Sequence, residues 1–217
     1  MTINDVKLYR VTHILNIPHI LQYGITHSMS VNSNKSYVSI GDASLIGTRS
    51  TRSVIITNGV MSNNQGTIIL GNFIPFYFGV RMPMLYVVQI GGNFVKQATP
   101  PQDIIYLTCL LSDILKAGYL YYFSDGHATD NLTSFYDDTQ INNLLNIIDY
   151  TAIMATYWSG SSNLDLKRKK QAEFLIGQDV SPNYLFNFNC YDRNAKVQLI
   201  NMGISDPNII IMPQAYY

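Results

Sequence analysis

Short apolar and aromatic runs of strand length, separated by polar turns, limit most strongly the folds that this sequence can adopt. Runs of roughly four to eight such residues, bounded by Gly, Pro, Asn or Asp, are typical of strands in a buried sheet. We therefore predict strands at LYRVT (8–12), SYVSIG (36–41), SVIIT (53–57), MLYVVQI (84–90), DIIYLTCLL (103–111), YLYYFSDG (119–126), YLFNFNCY (184–191) and NIIIMP (208–213).

Helix signals occur between these runs. In NIPHILQYG, Asn16 is a suitable N-cap, Pro18 lies in the first turn and Gly24 follows the last turn. Further helices are predicted at SDILKAG with Ser112 as its N-cap, over residues 137–157, at LKRKKQAEFLIG with Gly177 as its end, and at KVQLINMG.

The stretch 26–66 is polar and irregular apart from SYVSIG and SVIIT, and a long stretch of this kind is usually functional or mobile. Neither an internal repeat nor a linker divides the chain. Strands and helices are mixed along it, which is typical of the α+β class. We expect one domain over residues 1–217, with a central β-sheet core flanked by helices.

Composition excludes several classes of protein. Lys+Arg and Asp+Glu both number 14, so the formal net charge is zero; this argues against a general nucleic-acid coat protein but leaves local cationic patches open. Cys109 and Cys190 lie far apart without a CxxC or Cys/His cluster, so we expect no metal site.

The sequence has no N-terminal apolar signal segment and no run approaching about 18 apolar residues. We expect a cytoplasmic protein with reduced thiols and no membrane contact.

Two residues, His13 and Arg81, occupy positions that fit either a ligand site or ordinary structure. His13 lies where the first predicted strand meets the first predicted helix, a junction that directs polar groups into one cleft and suits an anionic ligand. The alternative is a histidine that hydrogen-bonds a neighbouring carbonyl. Arg81 stands among aromatic residues and needs either an acidic partner or a ligand groove, in which Tyr77 and Phe78 would stack on a base.

Two polar segments carry further candidates. Arg49 and Arg52 lie in IGTRSTRS, where a guanidinium fork would bind a phosphate or carboxylate, and where a solvated loop charge is the alternative. His127 lies in SDGHATD after a predicted strand, with Asp125 and Asp130 nearby. Such loops hold catalytic residues but also form common turns. The residues alone leave both interpretations open.

Glu173 is the acidic residue of KRKKQAEFLI. If this segment is a helix, Lys169 and Lys170 lie one turn before Glu173 on the same face. The apolar residues that follow Glu173 predict a half-buried carboxylate, whose pKa and orientation would be set by cationic neighbours. A solvated helix start is the alternative, and it remains open.

Taken together, the segments resemble the DarT family of bacterial toxins, which are NAD-dependent ADP-ribosyltransferases acting on DNA. The similar blocks occur in the family's order, with Ile74 in place of a family valine. They are YRVTHILNIPHILQYGI, IGDASLIGTRSTRSV, GNFIPFYFGVRMPMLYVV, KRKKQAEFLI and the terminal YY. The resemblance spans almost the whole chain and is most specific in FIPFYFGVRMPMLY and KKQAEFLI. It implies an ADP-ribosyltransferase-like fold.

The resemblance also implies roles for particular residues. Glu173 matches the catalytic glutamate and Arg49 the arginine that acts with it, with Arg52 as an alternative for the arginine. The implied NAD-binding residues are Thr12, His13, Asn16, Tyr77 and Arg52. The implied substrate-binding residues are Arg81, His127, Lys169 and Lys170.

By the same resemblance, NAD is a co-substrate, no metal is needed, and single-stranded DNA is the acceptor. The long polar stretch before the PFYF block is closer to the thymidine-modifying branch than to the guanosine-modifying one. Glu173 would take the proton of the base while the bond to nicotinamide breaks. A macrodomain antitoxin of the DarG type is the expected partner. The alternatives are the same chemistry on guanosine, RNA or protein, and an NAD-binding module without catalysis.

Overall fold

A computed structural model describes residues 1–92, 95 and 97–217. The strands in these residues are β1 (Lys7–His13), β2 (Ser53–Ile55), β3 (Thr67–Ile69), β4 (Ile74–Tyr77), β5 (Ile104–Leu110), β6 (Tyr121–Ser124), β7 (Phe135–Tyr136), β8 (Glu173–Ile176), β9 (Asn187–Cys190) and β10 (Ile209–Ile211). Strands β2 and β3 pair with each other, and the remaining eight form one sheet in the order β10-β9-β5-β1-β4-β8-β6-β7.

Short helices surround this sheet. Within the described ranges they are α1 (Ile17–Tyr23), α2 (Ala43–Thr51), α3 (Pro83–Ile90), α4 (Leu111–Lys116), α5 (Leu144–Ile147), α6 (Tyr150–Met154), α7 (Leu164–Lys169) and α8 (Arg193–Asn201). The predicted α+β class with a central sheet flanked by helices is therefore confirmed.

Most of the predicted elements are confirmed. The run LYRVT lies within β1, and the runs SVIIT, DIIYLTCLL, YLYYFSDG, YLFNFNCY and NIIIMP contain β2, β5, β6, β9 and β10. Helix α1 is confirmed, with Pro18 in the first turn and Gly24 at φ +80° just after the helix, although Asn16 at its N-cap position makes no side-chain capping hydrogen bond. Helix α4 begins at Leu111 with Leu110 at its N-cap position, so the prediction of Ser112 as the N-cap is wrong. Residues 137–157 contain a 3₁₀ segment followed by α5 and α6, and KVQLINMG lies largely in α8.

Two strand predictions are wrong. MLYVVQI forms most of α3, which begins with Pro83 at its first position and buries Leu85 and Val88 on one face; their three-residue spacing fits a helix. SYVSIG forms no strand. The Asn16 side chain binds both backbone groups of Val38 and so holds this segment against the start of α1.

Two further predictions require correction around the candidate site. The predicted helix over LKRKKQAEFLIG ends after α7, and Glu173 to Ile176 form β8, which is buried along its whole length. Strand β8 lies between β4 and β6, and its apolar side chains pack in two hydrophobic clusters, Phe174 and Ile176 in one and Leu175 in the other. Helix α2 was missed inside the polar stretch; Asp42 caps it by accepting hydrogen bonds from Ser44 N and Leu45 N.

The middle of the sheet brings distant segments side by side. Strand β1 pairs antiparallel with β4 and β5, and β4 pairs antiparallel with β8. The register places Tyr77 opposite both Tyr9 and Glu173. The first residue of β8 therefore lies at the edge of the sheet core, beside the last residue of β4.

Apolar side chains cover both faces of the sheet. One cluster contains Leu8, Phe76 and Phe174, and a second contains Tyr77 and Tyr106 under residues of α3. Both cysteines are buried free thiols. No helix in the described residues is both long enough and apolar enough to cross a membrane. These residues also contain no group of three or more His, Cys, Asp or Glu side chains that could hold a metal ion.

Candidate active site

The Glu173 carboxylate is buried, with no exposed side-chain surface, and its position is fixed from several sides. Oε2 accepts a hydrogen bond from Arg49 Nη1 at 2.7 Å, and Oε1 accepts one from the Ala128 backbone N–H at 3.1 Å. The Glu173 backbone N–H donates to Ser124 Oγ at 3.2 Å. Because each partner lies on a different part of the chain, the orientation of the carboxylate depends on tertiary packing.

Arg49 reaches the carboxylate from the last turn of α2. Its Nη2 atom is buried and has no hydrogen-bond partner among the described residues. A guanidinium group has five donors, and an unused buried donor costs free energy unless a ligand satisfies it. Beside the carboxylate, Arg49 therefore offers a donor to an acceptor atom of a bound molecule.

The loop after β6 supplies the second contact to Glu173. Ser124 Oγ donates to the Gly126 carbonyl at 2.7 Å, and the His127 backbone N–H donates to the Arg168 carbonyl at 2.9 Å. A Cβ atom on Gly126 would lie 2.5 Å from Arg168 Nη1. The close approach of loop and side chain therefore requires glycine here, and it directs the Ala128 N–H at the carboxylate.

The His127 side chain lies close to the carboxylate and the guanidinium group. Burial lowers the pKa of its imidazole below the usual 6.5, Glu173 counteracts this by raising the pKa, and Arg49 lowers it further. The ring is therefore neutral at pH 7, and its Nδ1 lies 3.1 Å from Thr129 Oγ1. A neutral imidazole has one donor and one acceptor nitrogen, which allows it to bind either edge of a polar ligand.

A cleft of about 660 Å³ borders Arg49 and His127. Apart from tyrosines, its ionisable lining residues are Arg10, His19, His27, Lys35, Arg49 and His127. No Asp or Glu is among the described residues that line it, although the chain as a whole is neutral. The permanently charged side chains among the described lining residues are thus all cationic, which favours an anionic ligand.

Three of the predicted cofactor-binding residues line this cleft: Thr12, Asn16 and Tyr77. Asn16 Nδ2 donates to Thr12 Oγ1 at 3.0 Å and to the Val38 carbonyl at 2.9 Å. Burial and the nearby Glu173 raise the pKa of Tyr77, so its hydroxyl stays protonated. These residues form a polar wall at the end of β1 and β4.

The family model described as "ssDNA thymidine ADP-ribosyltransferase, DarT" matches residues 9–217. The chain belongs to the DarT family. A "DNA ADP-ribosyl transferase" of Escherichia coli is 30% identical over 193 residues, which are 88% of this chain and 83% of that protein. A Thermosipho africanus protein named as a fusion of DNA ADP-ribosyl transferase and DNA ADP-ribosyl glycohydrolase is 29% identical over 212 residues, 95% of this chain and 48% of the fusion.

Solved DarT structures share the fold. Thermus sp. 2.9 DarT in complex with ADP-ribosylated ssDNA superimposes with a TM-score of 0.80 at 24% identity, over 98% of this chain and 96% of that one. The same protein in complex with NAD+ gives a TM-score of 0.76 at 22% identity and covers both chains completely, 100% of each. The eight-stranded sheet is thus the fold of the DarT family.

Two other residues to which the DarT resemblance assigns NAD binding do not line this cleft. His13 caps the 3₁₀ segment after β1, with Nδ1 accepting from Leu15 N at 3.1 Å, and it borders a separate cavity of about 500 Å³. Arg52 follows α2, and its Nη2 donates to Asn131 Oδ1 at 2.7 Å. Arg49, and not Arg52, is the arginine that contacts Glu173.

Arg81 is held near the C-terminal residue of the chain. Its backbone has a left-handed φ of +52°, and its N–H donates to the Tyr106 hydroxyl at 3.0 Å. The guanidinium group stands 4.6 Å from the ring centroid of Tyr217, in cation–π geometry. Arg81 is not among the described residues that line the cleft.

The predicted contact of Lys169 and Lys170 with Glu173 on one helix face is wrong, because α7 ends at Lys169 and Glu173 begins a strand. Lys169 instead pairs with Asp165 at 3.0 Å. Lys170 is buried and donates to the Ile153 carbonyl at 2.7 Å. Burial, with a smaller effect from Arg81, lowers its pKa to about 8.

Several residues of the site were not identified from the sequence. Arg10, His19, His27 and Lys35 line the cleft, and Arg10 Nη1 is oriented by the Pro75 carbonyl at 2.8 Å. Side chains alternate between the two faces along a strand, so Arg10 lies on the same face of β1 as Thr12. This spacing could have identified Arg10 as a cleft residue. The contacts of Ser124 and Ala128 with Glu173 had no local signal, because both depend on the pairing of distant strands.

Proposed function

We propose that this chain transfers ADP-ribose from NAD+ to a thymidine base of single-stranded DNA and releases nicotinamide. Membership of the DarT family supplies the substrate class. One observation carries the assignment to this site: the Glu173 carboxylate is bonded to Arg49 on the wall of a cleft whose charged lining residues are cationic. We also infer that residues 1–217 act as one domain, since strands from Lys7 to Ile211 share one sheet.

The cleft suits NAD+ in size and charge. Its volume of about 660 Å³ lies within the usual range for ligand sites. We expect Arg10 and Lys35 to neutralise the diphosphate, because both line the cleft without an acidic lining residue beside them among those described. Thr12, Asn16 and Tyr77 would supply hydrogen bonds. His13 and Arg52 remain proposed NAD contacts only if the dinucleotide extends past the cleft.

Glu173 fits the role of catalytic residue. Cleavage of the bond between nicotinamide and ribose develops positive charge on the sugar, and a nearby carboxylate stabilises this charge. A thymine ring nitrogen is a weak nucleophile while it carries its proton. Glu173 would accept that proton as the new nitrogen–carbon bond forms at the sugar, and neutral nicotinamide would leave with the electron pair of the broken bond.

Arg49 would both orient Glu173 and control access to it. The Glu173 side chain is fully buried while Arg49 is 14% exposed, so Arg49 lies between the carboxylate and the solvent. Substrates reach the carboxylate only if the Arg49 side chain rotates or α2 shifts. Helix α2 has no fully buried residue, so little packing opposes such a shift. The unpartnered Nη2 would then bind a phosphate or carbonyl oxygen.

On the DNA side, we propose that His127 contacts the target base, because its ring borders both the cleft and the catalytic pair. Lys169 and Arg81 are proposed phosphate contacts, supplying local positive charge on a neutral chain. Lys170 would first have to leave its carbonyl partner. Single-stranded DNA suits this site, because no base has to be extruded from a duplex.

A DNA ADP-ribosyl glycohydrolase of the macrodomain type is the proposed antitoxin partner. The Thermosipho africanus relative supports this, since it is named as a fusion of the two activities. Glycohydrolase activity would reverse the proposed modification. We expect the activity in the cytoplasm, where NAD+ and DNA are both present, and we expect it to need no metal.

The experiment that tests this function presents several acceptors together with NAD+. Thymidine-containing single-stranded DNA, the same sequence with every thymidine replaced, matching RNA and a denatured protein are incubated in parallel, and each is weighed by mass spectrometry. We expect one added ADP-ribose on the thymidine-containing strand alone. Modification of the thymidine-free strand would indicate guanosine or another base. Modification of RNA or protein with DNA unchanged would contradict the proposed function.

A further inference from the structure

An ion pair with a buried arginine lies directly behind the loop that contacts Glu173. Arg168 Nη1 lies 2.9 Å from Asp125 Oδ1, and Arg168 also binds Asp165 Oδ1 at 2.9 Å through Nη2. The Arg168 side chain is only 8% exposed. Its guanidinium group joins the end of α7 to the loop after β6 through charge-assisted hydrogen bonds to two carboxylates, of which Asp125 is 23% exposed and Asp165 60% exposed.

Both partners hold the loop at more than one point. Asp125 Oδ1 also accepts from the Ser134 N–H at 3.0 Å, which ties the loop to the strand β7 segment. The Arg168 carbonyl accepts the His127 N–H at 2.9 Å, and Gly126 leaves room for the guanidinium group. The loop is thus clamped before and after Gly126.

The held loop presents two groups to the site. The Ala128 N–H donates to Glu173 Oε1 at 3.1 Å, and the His127 ring borders the cleft. Neither Arg168 nor Asp125 lines that cleft. A shift of the loop would therefore change the direction of the carboxylate without removing any residue that touches substrate.

We propose that Arg168 and Asp125 are positioning residues, which act on the reaction through the loop that carries His127 and Ala128. This inference rests on the proposed function. A small displacement of an oriented catalytic group is enough to reduce turnover by about 100-fold, whereas substrate affinity depends mainly on residues elsewhere in the cleft. The expected signature is a fall in kcat with little change in KM for NAD+.

Asp125→Asn tests the proposal, because it keeps the size and one acceptor oxygen but removes the charge that Arg168 binds. Asp206→Asn is the matched control, since Asp206 pairs with Lys196 at 3.0 Å, far from the site in the α8 region. Initial rates are measured over a range of NAD+ concentrations with saturating single-stranded DNA. The imidazole of His127 is titrated by NMR in each protein, which reports on the loop without any reaction.

For Asp125→Asn we expect kcat to fall by about 10- to 100-fold, KM for NAD+ to change by less than about threefold, and the His127 pKa to rise toward its usual value as the ring loosens. Arg168→Lys keeps the charge but reaches only one carboxylate, so it should give a smaller change in the same direction. This variant replaces Asp125→Asn if Asp125→Asn does not fold.

Unchanged kcat and unchanged His127 titration in a folded variant would overturn the proposal, as would equal effects of Asp206→Asn. Inactive wild-type protein would instead contradict the proposed function, and the NMR titration would still test the positioning role.

Discussion

Arg49 Nη1 lies 2.7 Å from Glu173 Oε2, although 124 positions separate the two residues in the chain. Helix α2 supplies the arginine and the central strand β8 supplies the glutamate. The Arg49 guanidinium group compensates the negative charge of the buried carboxylate. Loss of this partner would leave the charge buried and uncompensated. The carboxylate of the pair has no exposed surface, whereas the Arg49 side chain is 14% exposed.

Substitution of Arg49 tests the importance of this pair. We expect Arg49→Ala to reduce ADP-ribose transfer by about 100-fold or more, because a preorganised donor beside the reacting atoms is lost. Arg49→Lys keeps the charge without the planar fork and should lose about tenfold. Arg49→Ala should also lower the free energy of unfolding by about 3 kcal/mol, measured by urea denaturation. Arg193→Ala, an exposed position at the start of α8, is the control; equal activity of Arg49→Ala and Arg193→Ala contradicts the pairing role.

The half-buried His127 predicts a specific pH dependence of stability. Its folded-state pKa lies below 6.5, so the unfolded chain binds more protons at mildly acidic pH. The corresponding stability is fully present above pH 6.5 and is lost as the pH falls through the folded-state pKa. His127→Gln should remove this contribution, so the difference in unfolding free energy between wild type and variant should shrink from pH 7.5 to pH 5. A constant difference across this range would show that the ring is not buried as described.

Substitution of two glycines by alanine should change the free energy of unfolding in opposite directions. At Gly126 a Cβ would lie 2.5 Å from Arg168 Nη1, so Gly126→Ala should lower the free energy of unfolding by about 2 kcal/mol through overpacking. At Gly47, within α2, a Cβ would meet nothing within 4 Å, so Gly47→Ala should raise stability by about 0.5–1 kcal/mol. Thermal and urea unfolding measure both changes. Destabilisation by Gly47→Ala would mean that α2 is not a helix.

Asn16 should influence NAD+ binding more than turnover. Its buried amide makes hydrogen bonds to Thr12 and to both backbone groups of Val38, which lies between the cleft-lining residues Tyr37 and Ser39. Asn16→Ala should lower the unfolding free energy by about 2 kcal/mol, since the backbone groups of Val38 lose their partners. KM for NAD+ should rise by about tenfold with a smaller change in kcat. A loss confined to kcat would place Asn16 nearer the chemistry than the structure does.

The family resemblance brought Glu173 and Arg49 together correctly, whereas the local pattern was less accurate about the elements that carry them. The runs that became β1, β5 and β9 were clear because β-branched and aromatic residues are concentrated between turn residues. The same criterion failed for MLYVVQI, since a short apolar run does not distinguish a buried strand from a buried helix. Glu173 was expected on a helix because four cations precede it, yet the apolar residues after it needed burial on both faces, which only a central strand provides.

Helix α2 and its contact with Glu173 could not be derived from local pattern. The helix contains no fully buried residue, so no apolar stripe marks it, and only Asp42 signalled its start. The Ala128 contact depends on how the loop after β6 packs against Arg168. Contacts between residues far apart in the chain arise from sheet pairing, which local propensity does not encode.

Glu173→Gln is the measurement that tests the central claim most directly. The amide keeps the shape of the side chain and an acceptor for the Ala128 N–H, but it does not accept a proton or stabilise positive charge as a carboxylate does. Wild type and variant are incubated with NAD+ and thymidine-containing single-stranded DNA, and both free nicotinamide and the mass of the DNA are measured. We predict that wild type releases nicotinamide and adds one ADP-ribose to the DNA, and that the folded variant is slower by at least about 100-fold in both. A folded Glu173→Gln protein that modifies DNA at the wild-type rate would contradict this account of the site.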